Sequence, residues 1–362
     1  MVNYAAEINC SFDEKPFNEI DSLVLSWLSY LHFPEACTGF RSVAGQNIRE
    51  VWRTEYFAEM IRTVKSPEET LKLLGCVCAS PRFRDMTVHR YTSDSDKASD
   101  KQFAAVVFRL KPGLSYIAYR GTDSTFTGWK EDFDLMLPEP VPSQKEAVSY
   151  LEKCAQETDD RLLVGGHSKG GNIAVYAAAA CDTSVRDRID AVYSHDGPGV
   201  SPEEVQSEGF CAVRDRIHKT LPQSSLIGMI MEQESDYRIV SSNEKGVSQH
   251  NPFSWEISEE DFVLREALTA DAVFLCHTIN RVVKETTPED QEAVINAVFD
   301  ILDRTEADSF DELGANLRKE LPTLMKESRE LDSETVKKAF RILKELAEST
   351  VKAIPSVIRR DK

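Results

Sequence analysis

No stretch of the sequence contains the roughly 18 consecutive apolar residues that a membrane-spanning helix requires. The first residues, MVNYAAEINCSFDEKPFNE, include acidic side chains and no long apolar core, so they lack the pattern of a secretory signal. We therefore expect a cytoplasmic protein that does not insert stably into membranes.

Positive charge is scarce as well. The 43 Lys and Arg residues are outnumbered by 61 Asp and Glu residues, which gives a formal net charge of −18. Nucleic acids and anionic membranes attract proteins mainly through Lys and Arg side chains. This charge balance therefore argues against nucleic acid as a partner and against stable docking on an anionic membrane.

The cysteines do not form a metal-binding pattern. Eight cysteines are scattered along the chain, and Cys76 and Cys78 have no second pair at zinc-ligand spacing. We expect reduced, buried thiols, and we expect neither a metal nor a cofactor.

The chain does contain enough apolar residues for a sizeable core, since 41% of its 362 residues are hydrophobic. Helical patterns dominate the N-terminal third, alternating strands begin at Met86, and strands then alternate with helices. We expect an antiparallel meander over residues 86–121, followed by parallel βαβ units. The predicted fold class is α/β, with a mixed, mostly parallel sheet.

The length suggests one large domain with an appendage. Residues 1–257 are predicted to form the core together with the N-terminal helices. Residues 258–362 are predicted to form a helical C-terminal region that packs on the core or extends from it. Apolar residues at helical spacing over 262–283, 289–303 and 333–353 support this division.

The central motif lies in Arg161–Cys181, RLLVGGHSKGGNIAVYAAAAC, which has the pattern of a strand, a glycine-rich turn and a helix. Its residues 166–170, GHSKG, match the nucleophile elbow G-x-S-x-G in the strand-turn-helix context that the motif requires. Side chains at Gly166 and Gly170 would collide with the crossing strand and helix. Ser168 is the candidate nucleophile, and the N-terminus of the following helix favours negative charge beside it.

A serine nucleophile needs a general base. In hydrolases with such an elbow, the chain order is serine, then acid, then the histidine base. The histidines after Ser168 are His195, His218, His250 and His277. His218 and His277 lie in helical patterns, and His195 lies in a strand too close to its own turn to reach over the elbow. His250 lies in a loop after the last predicted strand, so it is the candidate base.

Two carboxylates compete as the acid that orients this histidine. Asp196 follows the strand after the elbow unit, at the kind of strand end where catalytic groups gather in open α/β sheets. Glu244 follows the next predicted strand, only six residues before His250, and Asp236 precedes that strand. We take Asp196 as the acid and keep Glu244 as the alternative.

Two backbone N–H groups are expected to form the oxyanion hole. One belongs to Lys169, the residue after the serine, whose side chain is expected to be exposed near the start of the helix. The other belongs to Thr122, in the loop after an earlier strand, where Gly121 allows the backbone to approach the reacting centre.

With these residues assigned, the chain resembles the class 3 (fungal triacylglycerol) lipases in three blocks. The blocks are YRGTDSTFTGWKEDFDL around Thr122, GGHSKGGNIA around Ser168 and HNPFSWEI from His250. More closely, KPFNEIDSLVLSWLSYL, GGHSKGGNIAVYAA, SHDGPG and QHNPFSW are similar to an uncharacterised bacterial family of lipase-like α/β-hydrolases. The resemblance implies the α/β-hydrolase fold and a serine–histidine–acid triad.

The chain departs from class 3 lipases in two respects. Those lipases carry the acid in an asparagine-aspartate turn well before the histidine, whereas the comparable residues 242–244 here are Ser-Asn-Glu. This leaves the acid open between Asp196 and Glu244. The chain also has no obvious signal or apolar lid, which favours an intracellular esterase or a lysophospholipase-like enzyme over secreted fat digestion.

The sequence therefore predicts a serine hydrolase of carboxylic esters, acting on a small acyl ester or a lipid-like substrate through an acyl-enzyme on Ser168. A thioesterase or an amidase would use the same machinery. The alternative is a catalytically silent scaffold with the hydrolase fold that binds a protein partner through its helical tail. The acyl group and the oligomeric state are not predicted.

Overall fold

The structure is a computed structural model that describes residues 1–96, 101–122, 135, 139–232, 236–270, 272–273, 276 and 280. The predicted helices at 289–303 and 333–353 lie outside these residues, and so does His277. The helical region beyond residue 280 therefore stays a prediction.

The described residues form eleven strands and nine α-helices. The strands are β1 (Gln46–Asn47), β2 (Thr87–Asp96), β3 (Lys101–Lys111), β4 (Leu114–Tyr119), β5 (Arg161–His167), β6 (Ile189–His195), β7 (Ile217–Pro222), β8 (Tyr237–Val240), β9 (Ile257–Ser258), β10 (Asp261–Phe262) and β11 (Leu264–Arg265). The helices are α1 (Val2–Glu7), α2 (Glu19–Leu28), α3 (Thr54–Met60), α4 (Pro67–Ala79), α5 (Pro142–Gln156), α6 (Lys169–Ala180), α7 (Thr183–Arg186), α8 (Pro202–Val205) and α9 (Glu208–Val213). Within these ranges no helix has the length and apolar character needed to cross a bilayer.

Nine of the strands in the described ranges form one sheet, in the order β1-β2-β3-β4-β5-β6-β7-β8-β11. Strands β1 to β4 pair antiparallel, β4 to β8 pair parallel, and β11 pairs antiparallel with β8. The predicted antiparallel meander and the parallel units around the elbow are confirmed. The fold is α/β, with a mixed sheet whose central strands are parallel, as predicted for a lipase-like α/β-hydrolase.

Helices cover both faces of the sheet. One face shares a core with α1, α2 and α4, in which Leu23 and Tyr116 are fully buried. The other face shares a second core with α5, α6 and α9, in which Val164 and Ile173 are buried. A parallel strand that is covered on both faces needs a continuous apolar run, and Leu162–Val164 supplies one immediately before the glycines of the elbow.

Helix α2 begins at a capping box. The Asn18 side chain accepts hydrogen bonds from the N–H groups of Ile20 and Asp21 at 2.9 Å, and the Asp21 carboxylate accepts one from the Asn18 N–H at 3.0 Å. Asp21 also pairs with the buried guanidinium of Arg82, which donates further to backbone carbonyls such as that of Ser11. This network fixes the N-terminal segment and α2 to the region between α4 and β2.

The strand around His218 was not predicted. Residues 217–222, which the sequence pattern assigns to a helix, form β7 beside β6. The ring of His218 stacks on that of Tyr193 across the two strands, with centroids 5.1 Å apart. The sheet supplies partners for both edges of this short segment, and a short apolar run cannot be assigned to helix or strand from its pattern alone.

The prediction that the chain is helical from Ser258 onward is wrong for residues 258–265. These residues form β9, β10 and β11, and Leu264 of β11 pairs with Val240 of β8. The main sheet therefore continues past residue 257. Part of the N-terminal third, where helical patterns dominate, is likewise not α-helical, since Ile48–Val51 forms a 3-10 turn before α3.

A buried polar network joins α2 to the sheet beneath the candidate site. His195 Nε2 lies 2.9 Å from the Ser22 hydroxyl, which lies 2.8 Å from the Tyr116 hydroxyl, and Ser26 contacts the same tyrosine at 2.7 Å. His195 is fully buried, and burial lowers the pKa of its imidazole to about 4, although the Glu19 carboxylate opposes this shift.

We predict that His195 makes folding pH-dependent between about pH 6.5 and pH 4. The unfolded chain binds a proton at this imidazole below its usual pKa of about 6.5, whereas the folded chain does not until about pH 4, so stability falls as the pH drops through this range. From pH 7 to pH 5 this group should lower the free energy of unfolding by about 2 kcal/mol. Urea unfolding of wild type and His195→Gln at both pH values measures the difference.

The control for this experiment is Ser22→Ala, which removes the hydrogen-bond partner but keeps the imidazole. It should retain the wild-type loss of stability on acidification, whereas the loss in His195→Gln should be smaller by about 2 kcal/mol, the share of His195. Equal losses in wild type and His195→Gln would show that the buried imidazole does not cause the effect.

Candidate active site

The turn between β5 and α6 carries Ser168 in a strained conformation. Its backbone has φ 60° and ψ −133°, in a region that residues other than glycine rarely occupy. The side chain is buried, with 6% of its surface exposed. Such strain persists only where the surrounding structure enforces it, and it is characteristic of a serine held in a nucleophile elbow.

The two glycines of the motif are required by the packing around this turn. A Cβ at Gly166 would lie 2.3 Å from the carbonyl carbon of Gly170 and 2.7 Å from the Tyr119 carbonyl oxygen. A Cβ at Gly170 would lie 2.2 Å from the same Tyr119 oxygen. These neighbours are backbone atoms, which cannot move aside as a side chain can. The collision expected from the sequence is therefore present at both positions.

The imidazole of His250 lies between Ser168 and Asp196. His250 Nε2 is 2.9 Å from Ser168 Oγ, and His250 Nδ1 is 2.6 Å from Asp196 Oδ2. An ionised carboxylate only accepts hydrogen bonds, so His250 Nδ1 carries the proton in this contact. The lone pair of Nε2 then faces the serine hydroxyl, which is the arrangement a general base needs.

The carboxylate of Asp196 is held by several donors. The residue follows β6 directly, has φ 49° and is 1% exposed. Its second oxygen, Oδ1, accepts hydrogen bonds from the Ser225 hydroxyl and from the Gly228 N–H at 3.2 Å. A buried carboxylate is costly unless it is paired and hydrogen-bonded, and here both oxygens have partners.

The other candidates from the sequence are not brought to this contact. Glu244 and Asp236 are exposed, and the carboxylate within hydrogen-bond distance of His250 is that of Asp196. His195 faces α2, and His218 lies beside Glu19 at 3.7 Å. Of the predicted residues, the structure brings together Ser168, His250 and Asp196.

The two predicted oxyanion residues flank the serine. Lys169 is the first residue of α6, so its N–H follows Ser168 directly. A Cβ at Gly121 would lie 3.1 Å from the Cβ of Ser168, which brings the chain at the buried Thr122 close to the nucleophile. The Lys169 side chain, expected to be exposed, is instead buried, and its Nζ donates to the carbonyl of Gln102 at 3.0 Å.

Sequence reasoning missed the residues that hold the loop of His250. The side-chain carbonyl of Gln249 accepts from the Ser224 N–H at 2.7 Å, and its backbone carbonyl accepts from Trp255 Nε1 at 2.8 Å. His167 Nε2 lies 2.9 Å from the carbonyl oxygen of His250 itself. The positions of His167 beside Ser168 and of Gln249 beside His250 were the only hint of these roles in the sequence. Sequence alone does not show in which direction a side chain points.

The loop that holds Asp196 is supported by residues beyond β11. Asn280 accepts from the Met231 N–H and donates to the Met229 carbonyl, both at 3.0 Å. The Cys276 thiol lies 3.6 Å from the Ser225 carbonyl oxygen. Burial raises the pKa of this thiol to about 12, so Cys276 is not a competing nucleophile.

The chemistry available at the site follows from the groups gathered around Ser168. A serine hydroxyl, an imidazole oriented by a carboxylate and nearby backbone N–H groups are the parts required for nucleophilic acyl transfer. The described part of the chain contains no group of three or more His, Cys, Asp or Glu side chains that could hold a metal ion.

Comparison with solved structures finds distant likenesses to lipases. Lipase II from Rhizopus niveus matches at 18% identity and a TM-score of 0.35, over 53% of this chain and 80% of the lipase. M37 lipase matches at 14% identity and a TM-score of 0.37, over 59% and 70% of the two chains. A mutant form of MDLA from Penicillium cyclopium matches at 13% identity and a TM-score of 0.36, over 66% and 85%.

A search of curated proteins found no match. The family model described as Mbeg1-like matches residues 77–300. This range contains Ser168, Asp196 and His250 and continues past the end of the main sheet at β11. It covers more than half of the sequence, and the chain therefore belongs to the Mbeg1-like family.

Proposed function

We propose that the chain is a serine hydrolase that cleaves carboxylic esters through an acyl-enzyme on Ser168. The observation that carries this proposal is the position of His250, whose two ring nitrogens lie 2.9 Å from Ser168 Oγ and 2.6 Å from Asp196 Oδ2. An imidazole bridging a hydroxyl and a buried carboxylate can take a proton from the hydroxyl as it attacks.

In the proposed first step, Ser168 Oγ bonds to the acyl carbon of the ester while its proton passes to His250 Nε2. The carbonyl π electrons move to oxygen and form an oxyanion, and Asp196 stabilises the imidazolium through its contact with Nδ1. When the carbonyl re-forms, the bond to the alcohol oxygen breaks, and His250 returns its proton to that oxygen. The alcohol leaves, and the acyl group remains on Ser168.

The backbone N–H groups of Thr122 and Lys169 are proposed to hold the oxyanion. Both residues are buried beside Ser168, and hydrogen bonds in a site screened from water stabilise developing charge more than they would in bulk water. A water molecule, deprotonated by His250, then attacks the acyl-enzyme through the same geometry. The products are a carboxylic acid and the free serine.

The proposed substrate class is an acyl ester of the esterase, lipase or lysophospholipase type. Thioesters and amides present the same carbonyl carbon to the serine, so the side chains that contact the acyl and leaving groups decide among them. His250 could return its proton to a leaving alcohol or to a leaving amine, so proton transfer does not select the ester. Ester cleavage is proposed because the sequence blocks around Thr122, Ser168 and His250 resemble those of lipases.

A fluorophosphonate probe tests the nucleophile. Attack of Ser168 on phosphorus would displace fluoride and leave a stable phosphonyl group on the serine. We predict labelling of the native wild type and none of Ser168→Ala. Ser194→Ala is the matched control, because this buried serine lies on β6 and its hydroxyl has no hydrogen-bond partner in the described part of the chain. Its labelling should equal that of wild type.

Absence of labelling in the native wild type would overturn the proposal. It would favour the alternative, a catalytically silent scaffold that binds a protein partner through its C-terminal region. Equal labelling of wild type and Ser168→Ala would show that the probe reacts elsewhere.

Asp196→Asn and Glu244→Gln distinguish the two candidate acids. The amide oxygen introduced by Asp196→Asn would accept from Ser225 and Gly228, so the amide N–H₂ would face His250 Nδ1 and place the imidazole proton on Nε2. We predict that kcat for a short p-nitrophenyl ester falls on the order of 10³- to 10⁴-fold. Glu244→Gln should stay within about twofold of wild type, because it changes an exposed side chain. Near-full turnover by Asp196→Asn would show that Asp196 is not the acid.

A further inference from the structure

The histidine next to the nucleophile contacts the backbone of the candidate base. His167 Nε2 lies 2.9 Å from the carbonyl oxygen of His250, and the two imidazole rings have centroids 4.6 Å apart. A carbonyl oxygen only accepts hydrogen bonds, so His167 must donate from Nε2. The contact joins residues that are 83 positions apart in the chain.

The other nitrogen of His167 is engaged as well. His167 Nδ1 lies 3.1 Å from the hydroxyl of Tyr30, just after α2. Because Nε2 carries the proton of the neutral ring, Nδ1 accepts from the tyrosine hydroxyl. The ring also packs edge-on against two tryptophans, with its centroid 5.7 Å from that of Trp27 and 6.5 Å from that of Trp255. These contacts fix both the tautomer and the orientation of the ring.

The environment keeps this ring neutral. His167 is 3% exposed, and burial together with the nearby His250 holds the pKa of His167 well below its usual range. A neutral ring does not repel the imidazolium that forms on His250 during the proposed reaction. His167 can therefore act as a hydrogen-bond donor at every stage without exchanging protons with substrate.

The loop of His250 needs such a donor. Residues Gly246–His250 form a 3-10 turn outside the sheet, and the preceding residue, Gln249, is held by Ser224 and Trp255. These bonds fix the chain before His250. The bond from His167 is made to the carbonyl of His250 itself and fixes the chain where its ring must meet Asp196 and Ser168.

We propose that His167 is a positioning residue, whose Nε2–H holds the His250 carbonyl so that the His250 ring remains aligned between Asp196 and Ser168. This inference rests on the proposed function. The support runs from Tyr30, just after α2, through His167 on β5, to the backbone of His250. A functional histidine is held in its productive geometry by side chains outside the reacting atoms, and loss of such a partner lowers the performance of the site.

The experiment compares His167→Leu, which removes the donor, with His167→Gln, whose side-chain N–H₂ can replace it. His89→Leu is the matched control, because His89 Nδ1 makes the same kind of contact, at 2.8 Å to the Val43 carbonyl, on β2. The first measurement is the far-downfield proton resonance of His250 Nδ1–H, assigned by its loss in Asp196→Ala. It reports the contact with Asp196 whether or not an ester is hydrolysed.

We expect this resonance in wild type, His167→Gln and His89→Leu, and its loss or an upfield shift in His167→Leu. For a short p-nitrophenyl ester, kcat of His167→Leu should fall roughly 10- to 100-fold, which is the range found when metal-bound histidines lose an outer hydrogen-bond partner. KM should stay within about twofold of the wild-type value. His167→Gln should recover most of kcat. Tyr30→Phe, which removes only a hydroxyl, should shift the resonance and kcat in the same direction by a smaller amount, and it replaces His167→Leu if that variant does not fold.

A wild-type resonance and wild-type kcat in His167→Leu, or in Tyr30→Phe if it is the folded variant, would overturn the inference while leaving the proposed function intact. A resonance that depends on His167 in a protein that hydrolyses no ester would support the positioning role and count against the proposed function. A similar change of the resonance in His89→Leu would show a general loss of structure and would also overturn the inference.

Discussion

The site depends on backbone segments that touch at the elbow. The carbonyl of Tyr119 at the end of β4, the turn at Gly166 and the first turn of α6 at Gly170 approach so closely that no Cβ fits between them. This contact forces Ser168 into its strained conformation and places the chain at Gly121 against it. The strain is retained because β4 and β6, which pair with β5, and the buried helix α6 fix the two ends of the turn.

A second requirement is the burial of the Asp196 carboxylate. Burial of an ionised group is costly unless its oxygens are paired, and within the described residues its partners are Ser225, Gly228 and His250. The same hydrogen bonds that make burial possible leave one oxygen directed at the imidazole. Stability and orientation at this position therefore have the same cause, so a substitution that disturbs one also disturbs the other.

The elbow, the antiparallel meander and the parallel order around Ser168 could be predicted because each follows from local patterns of glycine and apolar residues. The choice between Asp196 and Glu244 could not be decided from the sequence, because the order of residues does not give the distance from each carboxylate to His250. β7 could not be told from a helix because the short segment around His218 fits a helical pattern as well as a strand, and it takes the strand conformation through pairing with β6 and β8. The buried Lys169 and the directions of His167 and Gln249 are likewise set by tertiary contacts, which spacing in one chain does not encode.

The hydrogen bonds of Asn280 to Met229 and Met231 affect where the chain can be truncated. A chain cut after residue 257, at the boundary suggested by sequence pattern, would remove β11 from the edge of the sheet and leave β8 with an unpaired edge. It would also remove both hydrogen bonds between Asn280 and the segment 229–231, immediately after the loop that carries the donors to Asp196. A fragment that retains these contacts therefore extends to residue 280 and includes part of what the sequence assigns to the C-terminal region.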